Sequence, residues 1–223
     1  MYQNEKVEKS MELAHALVES RVDVPDGYEF KSCNLVNHDS IPVFIFRYER
    51  INGENSGYGG EHFSVSVDLD VTRIMGVMHI DGQHCGPGLP TDDSAIKTAV
   101  KAIEKLAPDL VGEYEVKWVL PLQENPKKIP HESPFPYTDN EGGLHLVTGV
   151  RVKLFFKKLN SWGWVIVGRD GKTIAFEREI IWSTIMNKRS TPAWLHDPFV
   201  LELYEDISNG NRLNTIKKYS VGR

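Results

Sequence analysis

The sequence predicts an α+β protein of two tandem repeats, each with one helix packed on an antiparallel sheet of three or four strands, plus an irregular C-terminal arm. Two observations lead to this prediction. Residues 63–77 and 163–177 share a hairpin pattern one hundred positions apart, so that Asp70 matches Asp170 and Ile74 matches Ile174. A similar series of one amphipathic helix and several strands surrounds each copy, and self-similarity at a fixed spacing indicates internal duplication.

Chain length agrees with this division, because 223 residues can hold two units of about 100–110 residues each. The predicted boundaries are 1–90 for the first repeat, 91–182 for the second and 183–223 for the arm. A proline-rich insertion at 121–146 interrupts the second repeat and is expected to lack regular structure. Its aromatic residues, among them Phe135 and Tyr137, favour an ordered and partly buried flap at least as much as a disordered loop.

Apolar periodicity places the individual elements. The first helix is predicted from Glu5 to Val22, because apolar residues recur there at steps of three and four. The second is predicted from Asp93 to Ala107, with Thr91 or Asp92 as its cap and Pro108 as its stop. Alternation and turn signals predict strands at 28–36, 43–51, 63–70, 74–80, 113–120, 149–157, 162–168 and 173–182.

Charge and hydropathy exclude several classes of partner. The chain has 26 Lys and Arg against 31 Asp and Glu, a net charge of −5, which argues against a nucleic-acid or anionic-membrane surface. No run approaches the ~20 apolar residues that a membrane helix requires, so membrane insertion is not expected. The polar N-terminal stretch lacks the pattern of a signal peptide. As written, the chain is expected in the cytoplasm, or in the cell envelope or outside the cell if a leader was removed.

One loop offers candidates for catalysis. His79, His84 and Cys85 lie within seven residues of one another, and such side chains can bind a transition metal or activate a thiol. Their spacing matches no familiar ligand pattern, so no metal and no cofactor is predicted. A loop cysteine beside solvated histidines is the simpler interpretation, and Cys33 and Cys85 are expected to be free thiols. A metal- or thiol-dependent enzyme is the alternative function.

The two copies differ on one face of the predicted sheet, which is polar in the first copy and aromatic in the second. The residues predicted to bind a partner are Trp162, Trp164 and Ile166 on that face, with Phe135 and Tyr137 of the insertion above them. An exposed aromatic patch of this size marks an interface. Internal packing against the rest of the chain and a homodimer contact are the alternatives.

Both hairpins follow the pattern V-x-V-x-x-D-x-x-x-I. The matching residues are Val65, Val67, Asp70 and Ile74 in the first copy, and Val165, Val167, Asp170, Gly171 and Ile174 in the second. This arrangement resembles the PepSY domain family and the related YcdB/YcdC-type repeated domains over most of residues 5–182, although Arg73 stands where the family often has glycine. The resemblance implies a noncatalytic module that binds a protein or peptide, including peptidase inhibition, and no catalytic residue.

Overall fold

A computed structural model describes residues 2–122, 134–183 and 188–208. The helices are α1 (Tyr2–Arg21), α2 (Asp92–Leu106) and α3 (Asp197–Ser208). The strands are β1 (Tyr28–His38), β2 (Ile41–Arg50), β3 (His62–Asp68), β4 (Ile74–Ile80), β5 (Tyr114–Pro121), β6 (Phe135–Thr138), β7 (Leu144–Val147), β8 (Val150–Phe156), β9 (Ser161–Val167), β10 (Thr173–Ile180), β11 (Trp182–Ser183) and β12 (Lys188–Arg189). No helix in this part of the chain is long and apolar enough to cross a lipid bilayer.

Eight of the strands form a single antiparallel sheet in the order β1-β2-β3-β4-β10-β9-β8-β5. The prediction of two repeats, each a helix on its own three- to four-stranded sheet, is therefore wrong. The two halves of the chain join where β4 pairs with β10, with Phe176 opposite Val77 and Glu177 opposite Gly76. The physical reason lies in β4, because every one of its residues is buried. As an edge strand it would leave backbone groups unpaired inside an apolar environment, and pairing with β10 satisfies them.

Helices α1 and α2 both pack on one face of this sheet. Their buried stripes contain Ala14, Val18, Ala99 and Ile103, and a single apolar cluster joins these side chains to residues of both halves of the sheet. Thr91 caps α2, since its hydroxyl accepts a hydrogen bond from the Ser94 N–H. The predicted positions of both helices are confirmed to within a few residues, whereas the shared core beneath them was not predicted.

The opposite face of the sheet has a second apolar core that includes Met75, Met78 and Ile174. Two segments cover it. The first is the hairpin β6–β7, so the expectation of irregular structure over 121–146 is wrong for these two strands, while residues 123–133 lie outside the described part of the chain. The second is formed by the described part of the C-terminal segment, which contributes Leu195 and includes α3.

Buried ion pairs fix the C-terminal segment to the sheet. Asp197, the first residue of α3, accepts hydrogen bonds from Arg47 of β2 at 2.8 Å and 3.0 Å. Glu177 of β10 accepts from Arg189 at 2.7 Å and from His196 at 2.8 Å. Both carboxylates are buried. A buried charge requires a paired partner, which the arginine side chains provide here. The arm predicted as irregular is thus a structured cover for the second core.

Candidate functional site

Strand β5 forms one edge of the eight-stranded sheet, and in the described part of the chain its hydrogen-bonded neighbour is β8 alone. Three apolar side chains of this strand are exposed: Val116 by 40%, Trp118 by 50% and Leu120 by 38%. Natural edge strands are commonly short, charged or covered, because exposed apolar edges pair with other chains. An eight-residue edge with this apolar surface is therefore a candidate interaction site.

The register of β5 decides which way these side chains face. Residues opposite one another in neighbouring strands share a face of the sheet. Val116 lies opposite Leu154 of the helix-side core, whereas Trp118 lies opposite Lys153. A bulge between Val116 and Trp118 causes the change of side. Trp118 and Leu120 therefore extend the face away from the helices, while Val116 borders the other face.

Three indole rings gather beside this edge and form what we call the tryptophan cluster: Trp118, Trp162 and Trp182. The rings of Trp118 and Trp162 stack with centroids 5.6 Å apart. The Lys153 ammonium lies 4.9 Å from the Trp118 centroid and 4.8 Å from each of the other two. A cation over aromatic faces is attracted by their quadrupoles, so Lys153 holds the three rings in a fixed arrangement.

The opposite edge of the sheet, β1, provides a contrast. It also has an exposed aromatic residue, Phe30, which is 48% exposed. Both edges contain charged residues, Glu29 and Lys31 on β1 and the ion-paired Glu115 and Lys117 on β5, and the Phe30 ring packs against His15 of α1 with centroids 5.4 Å apart. The edges differ in that β5 exposes two apolar side chains, Trp118 and Leu120, on the same face of the sheet.

The binding residues predicted from sequence fall into two groups. Trp164, Ile166 and Tyr137 are buried in the second core, where the Trp164 indole N–H donates to Glu177 at 3.0 Å. Trp162 and Phe135 are half-buried at the borders of that core. Trp162 is the one that reaches the β5 edge, through its stacking on Trp118. A binding role at this edge stays a prediction, and burial removes Trp164, Ile166 and Tyr137 from any open surface.

The structure brings two of the three predicted loop residues together. His84 Nε2 lies 3.0 Å from His79 Nδ1, and both rings are buried. His79 Nε2 in turn lies 3.4 Å from Asp81 Oδ2. Burial by itself would raise the pKa of Asp81, but contacts from His79, the Gln83 N–H and the Tyr28 hydroxyl hold it well below its usual range. Asp81 is therefore a carboxylate at neutral pH.

The two rings share one hydrogen bond between His84 Nε2 and His79 Nδ1, and which of them donates depends on the tautomer. Burial, followed by the nearby His79, lowers the pKa of His84 to about 4, which makes the ring neutral at pH 7. Among the described residues, His79 Nε2 and His84 Nδ1 are buried nitrogens without a hydrogen-bond partner.

Cys85 does not take part in this arrangement. Burial raises the pKa of its thiol, so the reactive thiolate is scarce at neutral pH. Its backbone bridges to Val147, and among the described residues no hydrogen bond joins its sulfur to either histidine. The described residues also contain no group of three or more His, Cys, Asp or Glu placed to hold a metal ion. The geometry gives the thiol and metal alternatives no support.

Sequence reasoning missed most of the tryptophan cluster. It identified Trp162, but Trp118 and Trp182 come from strands that are distant in the sequence, and Lys153 was not among the predicted site residues. Alternation over 113–120 does place Trp118 and Leu120 at even spacing, which was the available signal. The alternation pattern does not show which strands are neighbours in the sheet, so it could not show that β5 is an edge strand.

Comparison with known proteins adds no relative. No protein-family model, no curated protein and no solved structure matches the chain.

Proposed function

We propose that this protein is a noncatalytic module that binds an extended segment of a partner protein or peptide along β5. The observation that carries the proposal is the pair of exposed apolar side chains Trp118 and Leu120 on one face of an edge strand, with Val116 exposed at its other face. An added strand gains main-chain hydrogen bonds from the edge, and its alternate side chains contact the pockets beside it. The occupant is therefore an extended segment whose apolar side chains face Trp118 and Leu120.

The tryptophan cluster supports the same proposal. Large aromatic side chains that are already held in place lose little conformational freedom on binding, and tryptophan is enriched among residues that dominate binding energy. Lys153 and the stacking on Trp162 hold Trp118 in place in the free protein. Inhibition of a peptidase, the role implied by the PepSY-like hairpins, would be one form of such binding, with the extended segment supplied by the peptidase.

Selection of peptides tests the proposal without a known partner. A phage-displayed library of random dodecapeptides is selected on the immobilised protein, and the affinity of a synthetic selected peptide is measured by fluorescence polarisation. We expect the selected peptides to alternate apolar residues. Trp118→Ser is expected to weaken binding at least tenfold, about 1.4 kcal/mol, because it removes the largest exposed side chain of the edge.

Phe30→Ser is the matched control, since it removes an equally exposed aromatic residue from the other edge strand. It is expected to change the affinity by less than about twofold. Equal losses in the two variants, or selected peptides with no apolar alternation, contradict the proposal. Light scattering of the free protein adds a further criterion: a stable dimer that Trp118→Ser dissociates would assign β5 to self-association instead.

A further inference from the structure

The surroundings of β5 have the opposite sign of charge to the chain as a whole. The whole chain has a net charge of −5. Residues 113–121 and 150–158, which contain β5 and β8, hold five cations and two carboxylates. The cations are Lys117, Arg151, Lys153, Lys157 and Lys158, and the carboxylates are Glu113 and Glu115. A local excess of positive charge at this edge attracts anionic groups.

Two of these lysines lie on the face of the tryptophan cluster. Glu115 is opposite Phe155 in the register of β5 with β8, so these two side chains share a face of the sheet. The Phe155 ring packs against Trp162 of the cluster with centroids 5.0 Å apart, and Lys117 Nζ lies 5.8 Å from the Phe155 centroid. Lys117 and Lys157 both form ion pairs with Glu115. The charged group therefore adjoins the aromatic surface.

Among the described residues, this ion-paired group has one cation more than its carboxylate balances. Side-chain contacts with Lys117 and then Lys157 lower the pKa of Glu115 to about 2, so its carboxylate is ionised at neutral pH. One carboxylate against two ammonium groups leaves a positive charge at the surface, where the two lysine side chains are 37% and 62% exposed. Exposed ion pairs contribute little free energy, so a carboxylate from a partner can compete for either ammonium group.

We infer that the extended segment bound along β5 is acidic. Its apolar side chains contact Trp118 and Leu120. A carboxylate on the same face of the segment, at the end that lies beside Glu115, pairs with Lys117 or Lys157. Residues two apart in a strand share a face, so the acidic residue follows the apolar ones in the alternating set. This inference rests on the proposed function, because it specifies the chemistry of the segment that the β5 edge binds.

Single-stranded nucleic acid is the competing anionic partner, because it pairs phosphates with cations and stacks bases on aromatic rings. The net charge of −5 opposes a chain of phosphates, whereas a few carboxylates require only the local excess at this edge. An edge strand also offers main-chain hydrogen bonds to an added strand. These two observations favour an acidic peptide.

The composition of selected peptides gives the first test. Dodecapeptides from the random phage library are sequenced after selection on the unchanged protein and on Lys157→Glu. On the unchanged protein we expect Asp and Glu to outnumber Lys and Arg at least twofold, relative to the unselected library, and we expect Lys157→Glu to remove this excess. Equal numbers of acidic and basic residues in peptides that still alternate apolar residues overturn this inference and leave the peptide site standing. Peptides without that alternation contradict the peptide site itself.

Affinities of one selected peptide measure the contribution of charge. The peptide is synthesised as selected and with every Asp and Glu replaced by Asn and Gln, and both forms are measured by fluorescence polarisation. We expect the acidic form to bind about threefold to fivefold more tightly at 50 mM NaCl, and the ratio to approach one at 0.5 M NaCl, because salt screens exposed charges. A fluorescein-labelled oligothymidylate of twelve nucleotides should bind more weakly than the acidic peptide. Tighter binding of that oligonucleotide would overturn the inference and assign the edge to nucleic acid.

Matched variants locate the carboxylate. Lys157→Gln removes the surplus cation and should cancel the preference for the acidic form, whereas Glu115→Gln removes the competing carboxylate and should increase that preference about twofold. Lys31→Gln makes the same change as Lys157→Gln at an exposed position of the opposite edge strand and should leave the preference unaltered. Equal effects of the two lysine variants, or equal affinities of the two peptide forms for the unchanged protein, overturn the inference. Trp118→Ser should weaken both peptide forms alike, so a failure of the charge effect is distinct from a failure of the peptide site.

Discussion

Replacement of Glu177 by glutamine tests whether the C-terminal segment is held on the sheet as described. Glu177 lies in the middle of β10 and is almost fully buried. Its carboxylate accepts hydrogen bonds from Arg189 at 2.7 Å, from His196 at 2.8 Å and from the Trp164 indole at 3.0 Å. Glutamine keeps the shape and one acceptor for Trp164, but it removes the negative charge.

The expected loss in the free energy of unfolding follows from the Arg189 guanidinium, which stays largely buried after the substitution. The Arg189 side chain is 14% exposed and its guanidinium keeps bonds to the carbonyls of Thr191 and Pro192, yet its counter-charge is gone. Removing one partner of a buried ion pair typically costs about 3–5 kcal/mol. Folded domains are stable by about 5–15 kcal/mol in total, so Glu177→Gln should lose a large share of the stability.

Urea denaturation followed by tryptophan fluorescence measures this cost. Glu202→Gln is the matched control, because it makes the same chemical change at an exposed position of α3; it should alter the free energy of unfolding by less than about 0.5 kcal/mol. A loss below about 1 kcal/mol in Glu177→Gln would refute the reasoning, since it would mean that the C-terminal segment is not bound to β10 through this carboxylate.

Three further predictions concern protonation and the tryptophan cluster. Burial alone would raise the pKa of Glu177, but Arg189 and His196 hold this pKa well below the usual 4.5. The ionised carboxylate therefore stabilises the fold fully above pH 4.5, and this stabilisation is lost as the pH falls below 4.5. The urea midpoint should decline more between pH 6 and pH 3.5 in the unchanged protein than in Glu177→Gln. Lys153→Met removes the cation shared by three indole rings and should destabilise the protein by about 1 kcal/mol with a change in tryptophan emission, whereas Lys158→Met, at an exposed position, should do neither. Because burial raises the pKa of the Cys85 thiol, iodoacetamide at neutral pH should modify it more slowly than free cysteine; faster modification, seen by intact-mass spectrometry, would contradict its assignment as a structural residue.

The sequence predicts the local elements of this fold well, because their signals are local. Apolar steps of three and four identify α2, the Thr91 cap marks its start and Pro108 its end. Alternation and an Asp-Gly turn identify the strands β9 and β10. The assembly of these strands was predicted wrongly. Period-two alternation states which side chains share a face, but it does not state which strand lies beside which, so the pairing of β4 with β10 left no signal.

The candidate site shows the same limit. Trp162 was identified because it occupies a position that is polar in the first hairpin. Its neighbours Trp118 and Lys153 come from β5 and β8, and their contact depends on the register between those strands and on the bulge at Lys117. The relation between His79 and His84 was visible as sequence proximity, but the position of the Asp81 carboxylate beside His79 became apparent from distances alone.

Amide hydrogen exchange measured by mass spectrometry, with and without a selected peptide, tests the proposed function most directly. If an added strand pairs with β5, the amides of residues 114–121 become slower to exchange on peptide binding, while those of β1 at the opposite edge keep their rates. Protection that appears elsewhere and spares β5 would show that the edge strand is not the binding site.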